Sequence, residues 1–185
     1  WRGIQPEPKY AEFAIYTGNL ADDRDMDPIE SEIYSVELSN LQITPLTSRD
    51  GPDFAATPAP DGRSIAFLGY DDELKSYQQN HLYVMGPDGS GVRELLSGFP
   101  GSPGQIEWAP DGKSLFMLFE DHGVLTLNEL DLQGRLTQVV TGIGGGVATC
   151  ALLMGARLGA KVYVTSGSDA KLDAARTHGA VGGAN

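Results

Sequence analysis

The sequence predicts a mixed chain: an all-β region of repeated four-stranded antiparallel units, followed by an α/β segment of βαβα order. Three observations predict it. A turn motif returns after 50 positions. Proline, aromatic residues and negative charge collect before residue 142. From residue 138 a short strand, a glycine run and an apolar helical stretch succeed one another.

The composition divides sharply. All 11 prolines lie at or before Pro110, and of the aromatic residues only Tyr163 lies beyond position 141. Residues 1–141 carry 9 Lys/Arg against 23 Asp/Glu, whereas 142–185 carry 4 against 2. Such asymmetry argues for two modules, 1–141 and 142–185, the second with a first strand that can begin at 138. The acidic part has no basic patch, which excludes a nucleic-acid partner. The longest apolar run, 147–156, is too short to span a bilayer, so no membrane partner is expected. Cys150 is the only cysteine, so neither a disulfide framework nor a thiolate zinc site is expected. No signal peptide opens the chain, and a cytoplasmic location is the expectation. A start at Trp1 rather than Met reads as a truncated segment.

Along the first module, Ala59-Pro60-Asp61-Gly62-Arg63-Ser64-Ile65-Ala66-Phe67 returns as Ala109-Pro110-Asp111-Gly112-Lys113-Ser114-Leu115-Phe116-Met117. Pro presets φ at the first turn position and Asp-Gly supplies the tolerant residues after it, so strand-like runs on both sides make a hairpin. A second element occurs as Glu32-Ile33-Tyr34-Ser35-Val36, His81-Leu82-Tyr83-Val84-Met85 and Val124-Leu125-Thr126-Leu127. Asp88-Gly89 and Gln133-Gly134 close a further hairpin after it. Two hairpins make one four-stranded sheet, and a period of about 45–50 residues is that of propeller blades. This gives about three units, 12–47, 54–97 and 105–140, the first without a clear opening strand. The region therefore reads as an incomplete all-β propeller.

Around Trp108-Ala109-Pro110-Asp111-Gly112-Lys113 and its copy at Pro60-Asp61-Gly62-Arg63, the chain resembles the propeller repeats of the prolyl oligopeptidase family and of related periplasmic propellers. In that family the propeller gates a separate α/β-hydrolase domain. The Gly-x-Ser-x-Gly elbow of that domain does not occur here, so the resemblance carries over no catalytic residue. Asp23-x-Asp25-x-Asp27 opens like a calcium loop, but Pro28 and Tyr34 stand where that loop needs Gly and Glu, and a solvated loop between strands is expected. His81 and His122 each stand alone beside strands, with nothing nearby to complete a metal set.

The second module opens with strand 138–141, then Gly142-Ile143-Gly144-Gly145-Gly146-Val147-Ala148, an apolar helix over 147–158, a strand over 161–165 and a polar helix over 169–177. This is the start of a doubly wound sheet. A tight strand-to-helix turn needs glycine, and a pyrophosphate resting there needs the absence of Cβ. The apolar helix expects burial, with Cys150 and Met154 in its core. Gly155, mid-helix, has no explanation beyond close packing.

On the glycine run, Leu158-Gly159-Ala160-Lys161-Val162, Thr165-Ser166-Gly167-Ser168-Asp169-Ala170-Lys171-Leu172 and His178-Gly179-Ala180, the segment resembles the cofactor domain of the medium-chain dehydrogenase/reductase superfamily. Its zinc-binding-dehydrogenase and quinone-oxidoreductase branches are the nearest in pattern. The resemblance implies a dinucleotide held by Gly142, Gly145, Gly146, Val147 and Ala148. Where an NAD site places a carboxylate after the second strand, this chain has Ser166, with Ser168 and Lys171 close by, which favours NADP(H). Ser168 reads equally as an N-cap and Lys171 as a solvated helix residue.

Both parents are cut, since the substrate domain and most of the nucleotide sheet are missing. The expected function is a truncated NADP(H)-binding module of an oxidoreductase joined near Thr141 to a non-catalytic propeller fragment, inactive as it stands. The alternative is a substrate-gating or binding propeller fragment of a serine peptidase with an accidental tail. No metal is expected, and exposed strand edges are expected to promote self-association.

Overall fold

The computed structural model describes residues 13–22, 24–27, 29–121, 124–141 and 147–184. Among the described residues it holds four sheets, of which the first three are built in chain order. Strands β1 (Phe13–Gly18), β2 (Glu32–Glu37) and β3 (Ile43–Pro45) form the first, in the order β1-β2-β3. Strands β4 (Asp53–Pro58), β5 (Ile65–Gly69), β6 (His81–Met85) and β7 (Arg93–Glu94) form the second, in sequence order. Strands β8 (Gln105–Trp108), β9 (Ser114–Asp121), β10 (Val124–Asp131) and β11 (Leu136–Thr141) form the third. Neighbours in the first two sheets pair antiparallel throughout.

The repeated motif makes the same turn twice. Gly62 N donates to Ala59 O and Gly112 N to Ala109 O, both at 2.9 Å. Asp61 Oδ1 accepts from Arg63 N and Asp111 Oδ1 from Lys113 N, both at 3.0 Å. Gly62 and Gly112 have φ of 69° and 68°, a region open to glycine and costly for other residues. Pro60 and Pro110 therefore sit at the tips of the β4–β5 and β8–β9 hairpins, as their sequences predict.

Both faces of the second sheet are packed. In β5 every residue is buried. Ile65 and Phe67 join Met85, Ile33 and Leu46 on one face. Ala66 and Leu68 join Leu82, Val84, Trp108, Leu115 and Met117 on the other. The alternation of strand side chains thus stacks the first sheet on one side and the third on the other. Burial of a side chain such as Phe67 or Leu68 contributes about 1.5–3 kcal/mol. Trp108 Nε1 donates to Thr57 O at 2.8 Å, satisfying the indole within the stack.

A second device recurs between sheets. A Cβ on Gly89, in the β6–β7 turn, would lie 2.6 Å from Leu46 O; one on Gly134, in the β10–β11 turn, would lie 2.7 Å from Leu95 O. Each turn glycine abuts the last strand region of the preceding unit. In the first unit the corresponding turn has Leu41 with φ of 59°, where Leu41 N donates to Glu37 O at 2.8 Å.

The chain divides into two compact units, residues 1–119 with 128–137, and residues 120–127 with 138–185. Beyond residue 146 the second holds helix α1 (Val147–Arg157), β12 (Tyr163–Thr165), helix α2 (Asp169–Thr177) and β13 (Gly182–Ala184). Strands β12 and β13 pair in parallel. Two short helices and two parallel strands do not by themselves constitute a doubly wound domain.

Residues 138–141, which the sequence suits equally to the last strand of the third unit and to the first strand of the nucleotide fold, belong to β11 and lie beside β10. The turn at Gln133-Gly134, closed by Gly134 N to Asp131 O at 3.0 Å, returns them directly to β10, whereas parallel pairing needs a long crossover. The apolar helix is also only partly covered: Leu152 is buried, while Met154 is half-buried. Gly155 now has its reason, since a Cβ there would meet Val162 Cγ2 at 2.7 Å.

Candidate functional site

The densest polar chemistry lies at one end of the second sheet. The ladder register lines up Asp53 with Gly69 and Gly69 with His81. The β3–β4 and β5–β6 connectors meet at this end. Arg49, from the first connector, places Nε 3.0 Å from Asp53 Oδ1 and Nη1 3.3 Å from Asp71 Oδ1. Its Nη1 donates to the Tyr83 hydroxyl at 2.7 Å, and its guanidinium lies 4.0 Å from the centre of the Tyr83 ring. Tyr83 in turn stacks on Phe67 at 5.3 Å.

Electrostatics at this end are tight. Asp53 is buried, and burial, only partly offset by Arg49, pushes its carboxyl up to about 6. A Cβ on Gly69 would come within 2.1 Å of Asp53 Oδ1, so a glycine opposite is what admits the carboxylate. Burial works against the charge of Arg49, but Asp53, Tyr83 and Asp71 outweigh it and its pKa is raised. Glu32, which accepts from Thr47 Oγ1, and Glu30, which accepts from Gly51 N at 3.0 Å, are both raised by burial. Thr47 Oγ1 also accepts from Ile33 N at 2.9 Å, which ties β2 to the residues after β3.

Next to this cluster is an open groove of about 590 Å³, lined among others by Tyr70, Asp71, Tyr77, His81, Tyr83 and Glu94. Tyr83 and Glu94 pair across β6–β7, so both project to one face. His81 Nδ1 is 2.8 Å from Glu94 Oε1. His81, read from the sequence as standing alone, thus has a carboxylate partner. Sequence reasoning missed Arg49, Asp53, Asp71 and Glu94, because nothing local marks them and they converge only through the ladders. The charged pair Arg49-x-x-x-Asp53 beside a predicted strand was the one available signal. Among the described residues no group of three or more His, Cys, Asp and Glu could hold a metal.

The residues expected at the dinucleotide site are spread along the second module. Gly142, Gly145 and Gly146 lie outside the described residues, as do His122 and Asp23 of the first module. Val147 and Ala148 are the first two residues of α1. Ser166 comes just after β12 and its amide donates to Ala184 O at 3.1 Å. Ser168 is the N-cap of α2 without a side-chain cap bond, and exposed Lys171 is in the first turn. Asp169 shares that turn, two residues ahead of the lysine. Asp25 and Asp27 lie in the β1–β2 connector, where Asn19 Nδ2 donates to Asp27 O at 2.9 Å. No described helix is long and apolar enough to cross a membrane.

Stacked antiparallel sheets of this kind are those of propeller-like proteins. A structure from Agrobacterium tumefaciens assigned to TolB superposes with a TM-score of 0.57 at 19% identity, covering 70% of this chain and 46% of that one. A puromycin hydrolase superposes with a TM-score of 0.50 at 26% identity over 60% of this chain and 18% of its own. In sequence, a zinc-type alcohol dehydrogenase-like protein of Leptosphaeria maculans is 57% identical over 47 residues, 25% of this chain and 13% of that protein. The chain thus spans less than half the length of each of these relatives. No protein-family model matches it.

Proposed function

We propose that this chain acts as a non-catalytic propeller-type binding module, of the substrate-gating or ligand-binding kind. The observation that carries the reading is the groove beside Tyr83, opened where the long 70–80 connector meets strands β6 and β7 of the second sheet. The likeness to a puromycin hydrolase, over 60% of this chain, supports the propeller-fragment reading. The test is amide hydrogen exchange across residues 70–80 in the presence of a mixture of short peptides, with peptide integrity tracked by mass spectrometry. Added protection without cleavage is the expected result. Cleavage by the chain, or protection confined to other segments, would overturn the reading.

A second reading is favoured by the 57% identity over 47 residues to a dehydrogenase-like protein. In it, Gly142, Gly145, Gly146, Val147 and Ala148 hold the pyrophosphate of NADP(H), and Ser166, Ser168 and Lys171 receive the 2′-phosphate. Ser168 supports this by leaving its hydroxyl out of the helix cap, whereas Asp169 opposes it. When bound, the dinucleotide would supply hydride chemistry, for which this chain offers only binding groups. Titration of the full chain with NADPH and NADH, monitored by nucleotide fluorescence, should give weak binding with NADPH about tenfold ahead, as one charge-assisted hydrogen bond predicts. Lys171→Ala should erase the difference. Equal binding of the two by the unaltered chain would dispose of it.

On this reading the chain joins pieces of two parents near Thr141. Transcript sequence across residues 130–150 tests that directly: an uninterrupted propeller, or a substrate domain upstream of 142, would show which parent is native.

A further inference from the structure

The groove beside Tyr83 has a definite chemical bias. Among its lining residues are three tyrosines, Tyr70, Tyr77 and Tyr83, and three carboxylates, Asp71, Glu73 and Glu94. Two of these carboxylates have partners within the lining, Glu73 in Lys75 and Glu94 in His81. The third carboxylate, Asp71, pairs with Arg49 beside the groove. The chain itself shows what such a wall accepts. Arg49 lies over the Tyr83 ring, donates to its hydroxyl and reaches Asp53 and Asp71. A guanidinium is held here by an aromatic face and carboxylates together.

Beside the groove, the 70–80 connector presents apolar surface. Leu74 is 91% exposed and Tyr77 72%. The connector is internally braced: Asp72 Oδ1 accepts from Leu74 N at 2.8 Å and from Gln78 Nε2 at 2.7 Å, and Gln78 Oε1 accepts from Glu73 N at 2.6 Å. A braced loop that offers a leucine and a tyrosine is preorganised for binding. Residues 1–141, with 9 Lys/Arg against 23 Asp/Glu, would also draw a positive partner toward it.

We propose that the groove binds an arginine-bearing peptide segment, its guanidinium received by Glu73 and Glu94 in exchange for Lys75 and His81, and its apolar neighbours by Leu74 and Tyr77. The inference rests on the binding-module reading and specifies its ligand. The test uses the full chain and three amidated pentapeptides of leucine alternating with arginine, citrulline or glutamate. Citrulline keeps the shape of arginine and removes its charge. Calorimetry should show the arginine peptide binding at least about tenfold tighter than the citrulline peptide, since each charge-assisted hydrogen bond is worth about that factor. The difference should shrink as salt rises. Glu73→Gln with Glu94→Gln should narrow it, while Tyr77→Ala should weaken both peptides alike. If arginine and citrulline peptides bind equally and both perturb the amides of 70–80, the charge assignment falls and the binding-module reading stands. If no peptide perturbs those amides, both fall. The peptide comparison on the unaltered chain decides the matter even where a variant folds poorly.

Discussion

Leu41 sits in the left-handed region at a turn where the other units place glycine, and its side chain is 72% exposed. The strain there costs about 1–2 kcal/mol, and glycine returns part of it as entropy of the unfolded chain. Leu41→Gly should therefore stabilise by about 0.5–1 kcal/mol in urea denaturation. Asp53 gives a pH signature. Its folded pKa of about 6 stands above the ordinary 3.8, so the folded state binds the proton more tightly. Its contribution is full below about pH 4 and is lost as the pH rises through 6, a change of up to about 3 kcal/mol. Stability measured from about pH 4 to 7 should fall over that window, and Asp53→Asn should reduce the slope. Glu30 and Glu32 shift in the same direction and should account for the remaining slope.

At the level of elements, the turns do two different jobs. Gly62 turns a hairpin in open space, with nothing within 4 Å of the point a Cβ would occupy, so Gly62→Ala should cost only the strain of positive φ, about 1 kcal/mol. Gly89 combines a φ of 81° with the Leu46 carbonyl 2.6 Å from a would-be Cβ. Gly89→Ala must move backbone as well and should cost roughly twice as much or more, near the upper end for a single substitution. Thermal melts of the two variants side by side check the ordering. Their equality would mean that the contact between the Gly89 turn and the first unit contributes nothing.

For the molecule as a whole, β1 has a strand partner on one side only among the described residues, while β5 and β9 are each flanked by two strands. An open strand edge templates pairing with another chain. Sedimentation should show mass rising with protein concentration, and Ala14→Lys, at an exposed position of β1, should suppress it. A concentration-independent monomer would refute the edge as an association site.

The sequence by itself determined the repeats. Pro-Asp-Gly tips, Asp88-Gly89 and the alternating runs are local signals, because turn chemistry and strand alternation act over a few residues, and the helix over 169–177 was legible for the same reason. It also left the first unit without its opening strand, and the first sheet has three strands. What only the tertiary structure decided is long-range. Residues 138–141 suited two folds equally, and the hairpin geometry at Gly134 assigned them to the third sheet. His81 had no local partner, and the ladders brought it Glu94 from 13 residues away. Arg49, Asp53 and Tyr83 carry no motif, and their convergence depends on how β3, β4 and β6 are staggered against one another. Gly155 was unexplained until Val162 packed against it. Hairpins report their own closure in sequence, whereas pairings across strands, and the sites they create, exist only once the sheets have stacked.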